Sequence, residues 1–398
     1  MIRCIPEDVG LSSTRLQRIN RKVNHYIEQG TLAGAVTLIS RYGKVAHLET
    51  QGLQDIASQT PMAEDTLFRI YSMTKPITSV ALMILFEEGR VALTDPVHKY
   101  LPELKDLKVY LRRENGVDQL EDARQEMTVR DLLRHTSGLS YGDFDYDEGG
   151  GPYGESDIFY RAEITNQQLV ELMAELPLIH QPGTTWHYSG STDVLGRLIE
   201  VVAGMTLGEF FDERILGPLG MTDSVFKVTE ELRPRFASLY GPLGDEPLGL
   251  VGPSLREDFL DNILESGGGG LVCSINDYWR FCQMILNKGE LDGVRILGRR
   301  TVEFMTCNHL TPSMIPIGLG GEMPGMGFGL GFSVVMDPGV AGTMASVGTH
   351  AWGGWASTRF WIDPVEELIA ILMIQYIGDE SHPLRNDFQD LVYQAIMD

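Results

Sequence analysis

An α+β fold is the class that the sequence predicts, with one antiparallel sheet built from segments at both ends of the chain. Strand-like runs occur at residues 35–40 and 45–49, joined by a short turn, and at 67–70, and several more occur in the last fifth of the chain. The turns between the late strands are too short for crossover helices, so a parallel sheet is excluded. We therefore predict a sheet domain, flanked by helices, from residues 1–90 and 260–398, with a mainly helical domain of residues 91–259 inserted into it.

Hydrophobic periodicity places the elements within this plan. Leu16, Ile19 and Val23 recur at helical spacing, which predicts an opening helix over residues 14–28 that stops at Gly30. The further predicted helices cover residues 72–88, 129–135, 193–203, 276–286 and 384–396. The predicted strands cover residues 35–40, 45–49, 67–70, 329–336, 344–347, 355–362 and 368–376.

Charge and hydropathy exclude several classes of function. Asp and Glu number 55 against 32 Lys and Arg among 398 residues, and the net charge of −23 repels phosphate backbones, so no nucleic-acid partner is expected. No apolar stretch approaches the ~20 residues that span a bilayer, and the N-terminus carries no apolar signal segment, so we expect no membrane partner.

Cysteine usage and glycine spacing predict neither a metal nor an organic cofactor. The glycine run 267–270 fits neither a phosphate loop nor a dinucleotide fingerprint and is predicted to be a structural turn. The cysteines are scattered without a C-x-x-C pair, which predicts a reduced, cytoplasmic compartment and no metal site: Cys4, Cys273, Cys282 and Cys307.

Ser72 and Lys75, three residues apart, form the strongest local signal for chemistry. Pro76 is tolerated only in the first turn of a helix, which places Ser72 at the N-terminal tip and Lys75 on the same face. A serine hydroxyl beside an amine is a candidate nucleophile with its base. The alternative is a capping serine beside a solvated lysine, and spacing alone leaves both open, because Ser224 and Lys227 repeat it. That second copy leads into no apolar helix, so we reject it.

Ser140 is the competing nucleophile, since residues 138–142 (GLSYG) match the G-x-S-x-G motif. That motif needs a turn from a buried strand into a helix. Here the preceding segment is predicted to be helical, and a glycine-rich acidic loop follows. We therefore predict a structural role for Ser140. His135, in the last turn of the preceding helix, is predicted to complement the helix dipole rather than to catalyse.

Two later segments carry further candidates. Tyr188 precedes a predicted helix, a position suited to proton relay, with a half-buried packing aromatic as the alternative. Its neighbour His187 is predicted to be a surface or packing histidine. Gly353 and Gly354, at the entrance to a strand, permit close approach of a ligand or a second backbone. The backbone N–H of Trp355 can point there at a reacting oxygen, with a β-bulge packed by tryptophans as the alternative.

Taken in their order, these motifs resemble the serine β-lactamase and penicillin-binding-protein superfamily, in particular the family VIII carboxylesterases related to class C β-lactamases. The resemblance spans nearly the whole chain, and the order of the motifs, rather than any one of them, makes it specific. The motifs lie at residues 72–75, 132–139, 182–188, 219–223, 266–271, 328–332 and 352–354.

The resemblance implies a role for each candidate residue. Ser72 would be the acylated nucleophile, Lys75 the base that takes its proton, and Tyr188 the partner in the proton relay. The backbone N–H groups of Ser72 and Trp355 would form the oxyanion hole. No metal or organic cofactor is implied, and the substrate contacts would be Tyr71, Trp352, Gly353 and Gly354.

Two departures from the family pattern bear on the substrate. Gly190 stands where β-lactamases usually carry the Asn of Tyr-x-Asn, and Trp352 stands where they usually carry the Lys of Lys-Thr-Gly. That lysine would meet a substrate carboxylate. Arg359 has the opposite strand parity to Trp352 and should face away, which leaves an apolar wall. A methionine-rich stretch is predicted to border the acyl pocket: Met314, Met323 and Met326.

The sequence therefore predicts a serine carboxylesterase that hydrolyses neutral, short-chain acyl esters through a Ser72 acyl-enzyme, with weak β-lactam hydrolysis. A β-lactamase or D-Ala-D-Ala peptidase is the alternative within the same class of enzyme. A catalytically silent scaffold of the same fold is the alternative from a different class. The expected partner is a small-molecule ester, and the sequence leaves the oligomeric state open.

Overall fold

The computed structural model describes residues 1–142, 151–154, 156–244, 246–251, 259–378 and 380–398. The largest sheet within them is antiparallel and has eight strands: β1 (Gly34–Arg41), β2 (Lys44–Asp55), β3 (Thr60–Pro61), β4 (Met326–Phe328), β5 (Ser333–Val335), β6 (His350–Gly353), β7 (Arg359–Asp363) and β8 (Leu368–Met373). Their spatial order is β4-β5-β6-β7-β8-β1-β2-β3. Strands from both chain ends meet where β8 pairs with β1, which confirms the predicted α+β fold.

The helices that cover the sheet and position the site are α1 (Ser13–Glu28), α2 (Thr74–Glu87), α3 (Val129–Leu133), α4 (Ser191–Ala203), α5 (Ile275–Leu286) and α6 (Leu384–Tyr393). The other α-helices among the described residues are Gly151–Gly154, Asn166–Met173, Leu207–Phe211, Gly217–Leu219, Arg299–Met305 and Pro338–Ala341. The 3₁₀ turns are Pro6–Val9, Tyr71–Met73, Val97–Lys99, Pro102–Leu104, Ile158–Tyr160, Arg233–Arg235 and Pro312–Met314, and a π-helical turn covers Asp212–Leu216.

The apolar sequence of β8 shows how the sheet is buried on both faces. Successive side chains of a strand point to opposite faces. Alternate β8 residues enter one core with α1 and α6: Leu368, Ala370 and Leu372. The residues between them enter the main core with α2 and α5: Ile369, Ile371 and Met373. Both faces are covered, so β8 is apolar throughout rather than alternating with polar residues.

The start of α2 differs from the prediction by two residues. A 3₁₀ turn, Tyr71–Met73, precedes the helix, so Ser72 lies before it rather than at its first position. Every α2 residue from Thr74 to Leu85 is buried. A helix buried on all sides is held by packing against its neighbours, and this packing holds Lys75 inside the main core.

Three predicted strands are placed differently in the structure. Residues 344–347 form no strand, because the amide of Ser346 donates to the Asp363 carboxylate instead of to a neighbouring strand. The strand predicted at 355–362 begins only at Arg359, because the N–H of Gly354 donates to the carbonyl of Thr358 in a tight turn. The strand predicted at 329–336 shortens to β5, because Gly331 adopts a φ of +94°.

The segment predicted to be mainly helical also contains two hairpins that the sequence analysis missed. They pair Lys108–Glu114 with Val117–Asp122 and Tyr240–Leu243 with Glu246–Leu250. Two smaller strand pairs lie in the C-terminal half of the chain: Glu290–Leu291 with Val294–Arg295, and Ile317–Gly318 with Glu322–Met323. A further pair joins Leu67–Arg69 to Val272–Ser274. The division into two domains stays a prediction. In the described part of the chain, no helix has the length and apolarity needed to cross a bilayer.

Candidate active site

Ser72 is presented by a strained turn at the edge of a large cleft. Tyr71, just before it, has a φ of +41°, in the left-handed region that side chains other than glycine rarely adopt. The amide of Met73 closes the turn by donating to the carbonyl of Ile70 at 3.0 Å. Strain of this kind persists only where surrounding packing enforces it. The turn leaves Ser72 half-buried, in the wall of a cleft of about 1040 Å³.

Lys75 is buried, with 2% of its surface exposed. Its Nζ atom donates hydrogen bonds to Ser72 Oγ at 3.2 Å, to the Tyr141 hydroxyl at 3.0 Å and to the Gly268 carbonyl at 2.7 Å. A charged ammonium would use all three positions as N–H bonds, whereas a neutral amine has two N–H bonds and places its lone pair at the third. The alternative of a solvated lysine is therefore wrong.

Tyr188 reaches the same serine from the loop before α4. Its hydroxyl lies 2.6 Å from Ser72 Oγ, and its ring centre lies 4.6 Å from Lys75 Nζ. The indole Nε1–H of Trp352 donates to this hydroxyl at 3.4 Å. The structure thus brings together the three residues that the sequence predicted as nucleophile, base and relay.

Gly353, the last residue of β6, and Gly354, just after it, allow two close approaches at the cleft. A Cβ atom at Gly353 would overlap the guanidinium of Arg385, and one at Gly354 would overlap the carbonyl oxygen of Ile70. Both positions therefore need glycine. Trp352, on the other face of β6, points toward Tyr188.

Trp355 lies in the turn between β6 and β7, not within a strand as predicted, and its side chain is 43% exposed. Its ring contacts Tyr71 edge-on, with 5.6 Å between ring centres. Both residues line the cleft next to Ser72. Their predicted roles, in the oxyanion hole and in substrate binding, stay predictions.

Three residues that hydrogen bonds connect to Lys75 were not predicted to belong to the site. Tyr141 and Gly268 accept hydrogen bonds from Lys75, and the Tyr141 hydroxyl donates in turn to Asp193 at 3.0 Å. The glycine run at 267–270 is thus part of the site rather than only a structural turn. For Gly268 a signal was present, because residues 266–271 are among the motifs of the family resemblance, whereas Tyr141 and Asp193 lie outside those motifs.

Ser140 is not a second nucleophile in this geometry. It is fully buried, it accepts a hydrogen bond from the Gly142 amide at 2.8 Å, and its Oγ lies 3.3 Å from Nε2 of the buried His187. The preceding element is α3 and not a strand, as the prediction of a structural role required. In the rejected second copy of the motif, Ser224 donates to Asp277 at 3.0 Å while Lys227 pairs with Asp261.

His135 has a different environment from the one predicted. α3 ends at Leu133, and His135 lies beyond it, buried with its ring centre 4.9 Å from that of Tyr188. Burial, and next the charge of Lys75, lower the pKa of His135 well below its ordinary value, so the ring is neutral. The interpretation of His135 as a positive charge at the helix end is therefore wrong.

The cleft is lined by apolar and by charged side chains. Its apolar lining includes Leu319, Met323, Met326 and Trp352, whereas Met314 is buried outside it. The predicted methionine border therefore holds for two of the three residues.

Two arginines line the cleft. Arg359 lies opposite Gly353 in the pairing of β6 with β7, on the face away from Trp352, as its parity predicts. It nevertheless lines the cleft, so the prediction of a wholly apolar wall is wrong. Arg385, on α6, is the cation that the sequence analysis missed, and it contacts Gly353. Burial, and next the charge of Arg359, lower the pKa of Arg385 to about 9. Glu380 and Asp390 also line the cleft, and Asp390 acts electrostatically on Arg359, but the side-chain hydrogen bonds of Arg359 and Arg385 go to neutral side chains such as Gln389 and Ser381.

Metal ligands are not assembled anywhere in the described ranges. No group of three or more His, Cys, Asp or Glu side chains there comes close enough together to hold an ion. The chemistry that the arrangement itself offers is nucleophilic attack by Ser72, with an amine and a phenol both in contact with its oxygen.

The family model described as beta-lactamase matches residues 19–394. The chain belongs to this family. It is 35% identical over 375 residues to Protein Rv1367c of Mycobacterium tuberculosis, covering 90% of each chain. It is 31% identical over 399 residues to Esterase EstB of Burkholderia gladioli, covering 94% of each.

Among solved structures, the chain is similar to EstCE1, described as a hydrolase with promiscuous acyltransferase activity. The TM-score is 0.79 at 27% identity, over 96% of this chain and 98% of that one. These matches confirm the fold and the resemblance to esterases of the serine β-lactamase superfamily. They also confirm the general prediction of a serine ester hydrolase rather than a silent scaffold.

Proposed function

We propose that this chain is a serine carboxylesterase that hydrolyses neutral, short-chain acyl esters through an acyl-enzyme on Ser72. One observation carries the proposal: Lys75 Nζ and the Tyr188 hydroxyl both contact Ser72 Oγ, at 3.2 Å and 2.6 Å, in the wall of an open cleft. The similarity to Esterase EstB supports the reaction class.

Acylation begins when Ser72 Oγ attacks the carbonyl carbon of the ester. The hydroxyl proton passes to the neutral amine of Lys75 as the new O–C bond forms and the carbonyl electrons move onto oxygen. The backbone N–H groups of Ser72 and Trp355 stabilise that oxyanion. When the tetrahedral intermediate collapses, Tyr188 gives its proton to the leaving alkoxide and recovers one from Lys75.

Deacylation repeats the same steps with water in place of serine. Water attacks the acyl carbonyl while Tyr188 and Lys75 take up its proton, and the intermediate collapses to release the carboxylic acid. Ser72 regains its proton from the relay, so the net reaction consumes one ester and one water. No other reactant is needed.

The preference for neutral esters is supported by the contact between Trp352 and Tyr188. The indole N–H occupies the position where the family resemblance places a lysine, and it donates to Tyr188 without carrying a charge. The apolar border of Leu319, Met323 and Met326 suits a short acyl chain.

A second candidate function, β-lactam hydrolysis, is favoured by Arg385. Its guanidinium contacts Gly353 and lines the cleft, where it offers a charge-assisted contact to a substrate carboxylate. Arg385 lies at Gly353, on the face of β6 opposite Trp352, so it does not replace the lysine that the family resemblance places at position 352. The ester is therefore favoured as the better substrate.

The test is hydrolysis of a p-nitrophenyl ester series, from acetate to octanoate, by the purified protein and by Ser72→Ala. We expect turnover that is highest for the short chains and absent in the variant. A serine-directed phosphonate should add its mass to the peptide that contains Ser72. Turnover without such an adduct, or equal turnover by Ser72→Ala, would contradict the proposal.

The proposed compartment is reducing and cytoplasmic. It rests on the cysteines, which are all free thiols: Cys4, Cys273, Cys282 and Cys307. Two of them, Cys273 and Cys282, are buried, and burial raises the pKa of both thiols well above its ordinary value. Thiols held in that form are poor nucleophiles and play no part in the proposed reaction.

A further inference from the structure

Asp193 is a buried carboxylate that reaches the proposed base through a single hydroxyl. It lies in the first turn of α4 and is 3% exposed. Its Oδ2 accepts from the Tyr141 hydroxyl at 3.0 Å, and that hydroxyl accepts from Lys75 Nζ at 3.0 Å. A continuous chain of hydrogen bonds therefore runs from Asp193 through Tyr141 and Lys75 to Ser72.

The other oxygen of Asp193 is fixed by two donors. Ser266 Oγ and the backbone N–H of Gly268, at 3.1 Å, both donate to Oδ1. A Cβ atom at Gly268 would overlap Asp193 Oδ2 and approach the Tyr141 hydroxyl. Because residue 268 is glycine, the Asp193 carboxylate and the Tyr141 phenol can meet beside the Gly268 carbonyl, which itself accepts a hydrogen bond from Lys75.

The direction of each hydrogen bond follows from what each group can do. A carboxylate only accepts, so the single proton of the Tyr141 hydroxyl is committed to Asp193, and its oxygen must accept from Lys75. The Gly268 carbonyl also only accepts. Lys75 Nζ therefore directs one N–H bond to the Tyr141 hydroxyl and one to the Gly268 carbonyl, and its third position faces Ser72 Oγ.

We propose that Asp193 is a positioning residue that, through Tyr141, aims the lone pair of neutral Lys75 at the hydroxyl of Ser72. The inference rests on the proposed function, in which Lys75 takes the proton of Ser72. A neutral amine has two N–H bonds and one lone pair. With both N–H bonds directed to Tyr141 and Gly268, the lone pair points at Ser72 and receives its proton as Oγ attacks the ester.

Asp193→Asn tests this direction because it changes one atom without changing shape. Ser266 and Gly268 keep the amide oxygen on their side, so the amide NH₂ faces Tyr141. The Tyr141 hydroxyl then accepts from the amide and donates to Lys75, which occupies the lone pair. We expect kcat for p-nitrophenyl butyrate to fall ~10²-fold with KM within ~3-fold of the wild-type value.

Tyr141→Phe removes the hydroxyl instead of reversing it. The lone pair of Lys75 is then unconstrained but not blocked, so we expect a smaller loss in kcat, ~10-fold. The double variant Asp193→Asn/Tyr141→Phe has no hydroxyl to reverse. Its kcat should therefore lie within ~3-fold of that of Tyr141→Phe, which makes it faster than Asp193→Asn alone.

The higher kcat expected of the double variant separates this proposal from a structural role for Asp193. A structural role would make the double variant as slow as Asp193→Asn or slower. Tyr393→Phe is the matched control, because the Tyr393 hydroxyl donates to the buried Asp363 at 2.9 Å in the other core. It should leave kcat unchanged.

Two outcomes would overturn the proposal: a double variant no faster than Asp193→Asn, or an unchanged kcat in Tyr141→Phe. The second comparison stands even if Asp193→Asn fails to fold. In either case, the proposed function still stands if the wild-type protein turns over the ester and Ser72→Ala does not.

Discussion

The indole N–H of Trp352 donates to the hydroxyl oxygen of Tyr188 across 3.4 Å, and the same hydroxyl lies 2.6 Å from Ser72 Oγ. A neutral donor thus supports the tyrosine at the position where the family resemblance places a lysine. In the proposed mechanism it would stabilise negative charge that develops on the phenol oxygen during proton transfer, although less than an ammonium would. Trp352 thus lines the cleft and also contacts the residue proposed to relay the proton.

Trp352→Phe should lower kcat for p-nitrophenyl butyrate ~10-fold, because it removes one hydrogen bond but keeps the aromatic packing. Steady-state kinetics at pH 7.5 measure the effect. Trp361→Phe is the control, since Trp361 is buried in the core on the other face of the sheet. An unchanged kcat in Trp352→Phe would show that the indole N–H does not act on Tyr188.

Ser72→Ala should abolish ester hydrolysis with the fold intact, because loss of a nucleophile costs as much as ~10⁶-fold in kcat. Ser140→Ala should keep at least about half of the rate, since Ser140 is buried and bonded within its own turn. Circular dichroism checks the fold of both. Retention of a tenth of the activity by Ser72→Ala, or a folded but inactive Ser140→Ala, would mean that the wrong serine was assigned.

Penicillins should be poor substrates, with kcat/KM for benzylpenicillin at least ~10³-fold below that for p-nitrophenyl butyrate, or about 4 kcal/mol of transition-state stabilisation. Gly190 lacks an amide for the acyl-amide group, and no lysine stands at position 352. Side-by-side kinetics with a chromogenic cephalosporin included would measure the gap. Comparable efficiencies on penicillin and ester would favour the β-lactamase function instead.

Arg385→Gln should weaken what penicillin turnover there is, by ~10-fold or more, while leaving ester kinetics within ~2-fold. A charge-assisted contact to a carboxylate contributes about 1.5–3 kcal/mol, and a neutral ester has no group to use it. Arg299→Gln, at an exposed arginine remote from the cleft, is the control. A large loss of ester activity in Arg385→Gln would show that the guanidinium serves the ester as well.

Gly354→Ala should lower both stability and activity, because the added Cβ would overlap the carbonyl oxygen of Ile70 in the chain that leads to Ser72. Overpacking against backbone costs about 1–3 kcal/mol, which shifts the strained turn at Tyr71. Gly321→Ala, where no atom lies within 4 Å of the added Cβ, is the matched control. Thermal melts and kcat/KM measure the two effects, and equal behaviour of both variants would refute the close approach.

Stability should fall as pH drops below neutral because of His47. Burial lowers the pKa of His47 from 6.5 to about 4, so the unfolded chain takes up a proton that the folded chain refuses. This stability is complete above pH 6.5 and is lost as pH falls toward 4, with about 2 kcal/mol lost between pH 8 and pH 5. In urea unfolding, the free energy of unfolding of His47→Gln should change by about 2 kcal/mol less between pH 8 and pH 5 than that of the wild type. His25→Gln, at an exposed histidine, is the control and should behave as the wild type does.

The sequence determined the local features of this protein. The pattern of apolar residues predicted the main helices and the strands β1, β2, β7 and β8, and Pro76 placed the start of the helix near Ser72 to within two residues. The order of the motifs identified Ser72, Lys75 and Tyr188 as one set, because each motif is a short run whose chemistry is legible by itself. Element boundaries were predicted less accurately where a side chain accepts a hydrogen bond from a distant backbone amide, as the Asp363 carboxylate does from Ser346.

Only the tertiary structure decided what surrounds these three residues. Tyr141 and Gly268 meet Lys75 across 66 and 193 positions of sequence, and Asp193 joins them from the start of α4. Arg385 enters the cleft from the first turn of α6, where its guanidinium reaches Gly353. Sequence periodicity reports which face of an element is buried, but it does not report which distant element covers that face. Hydrogen-bond partners across such distances are set by the packing of the whole chain, and so the positioning of Lys75 became visible only in the folded structure.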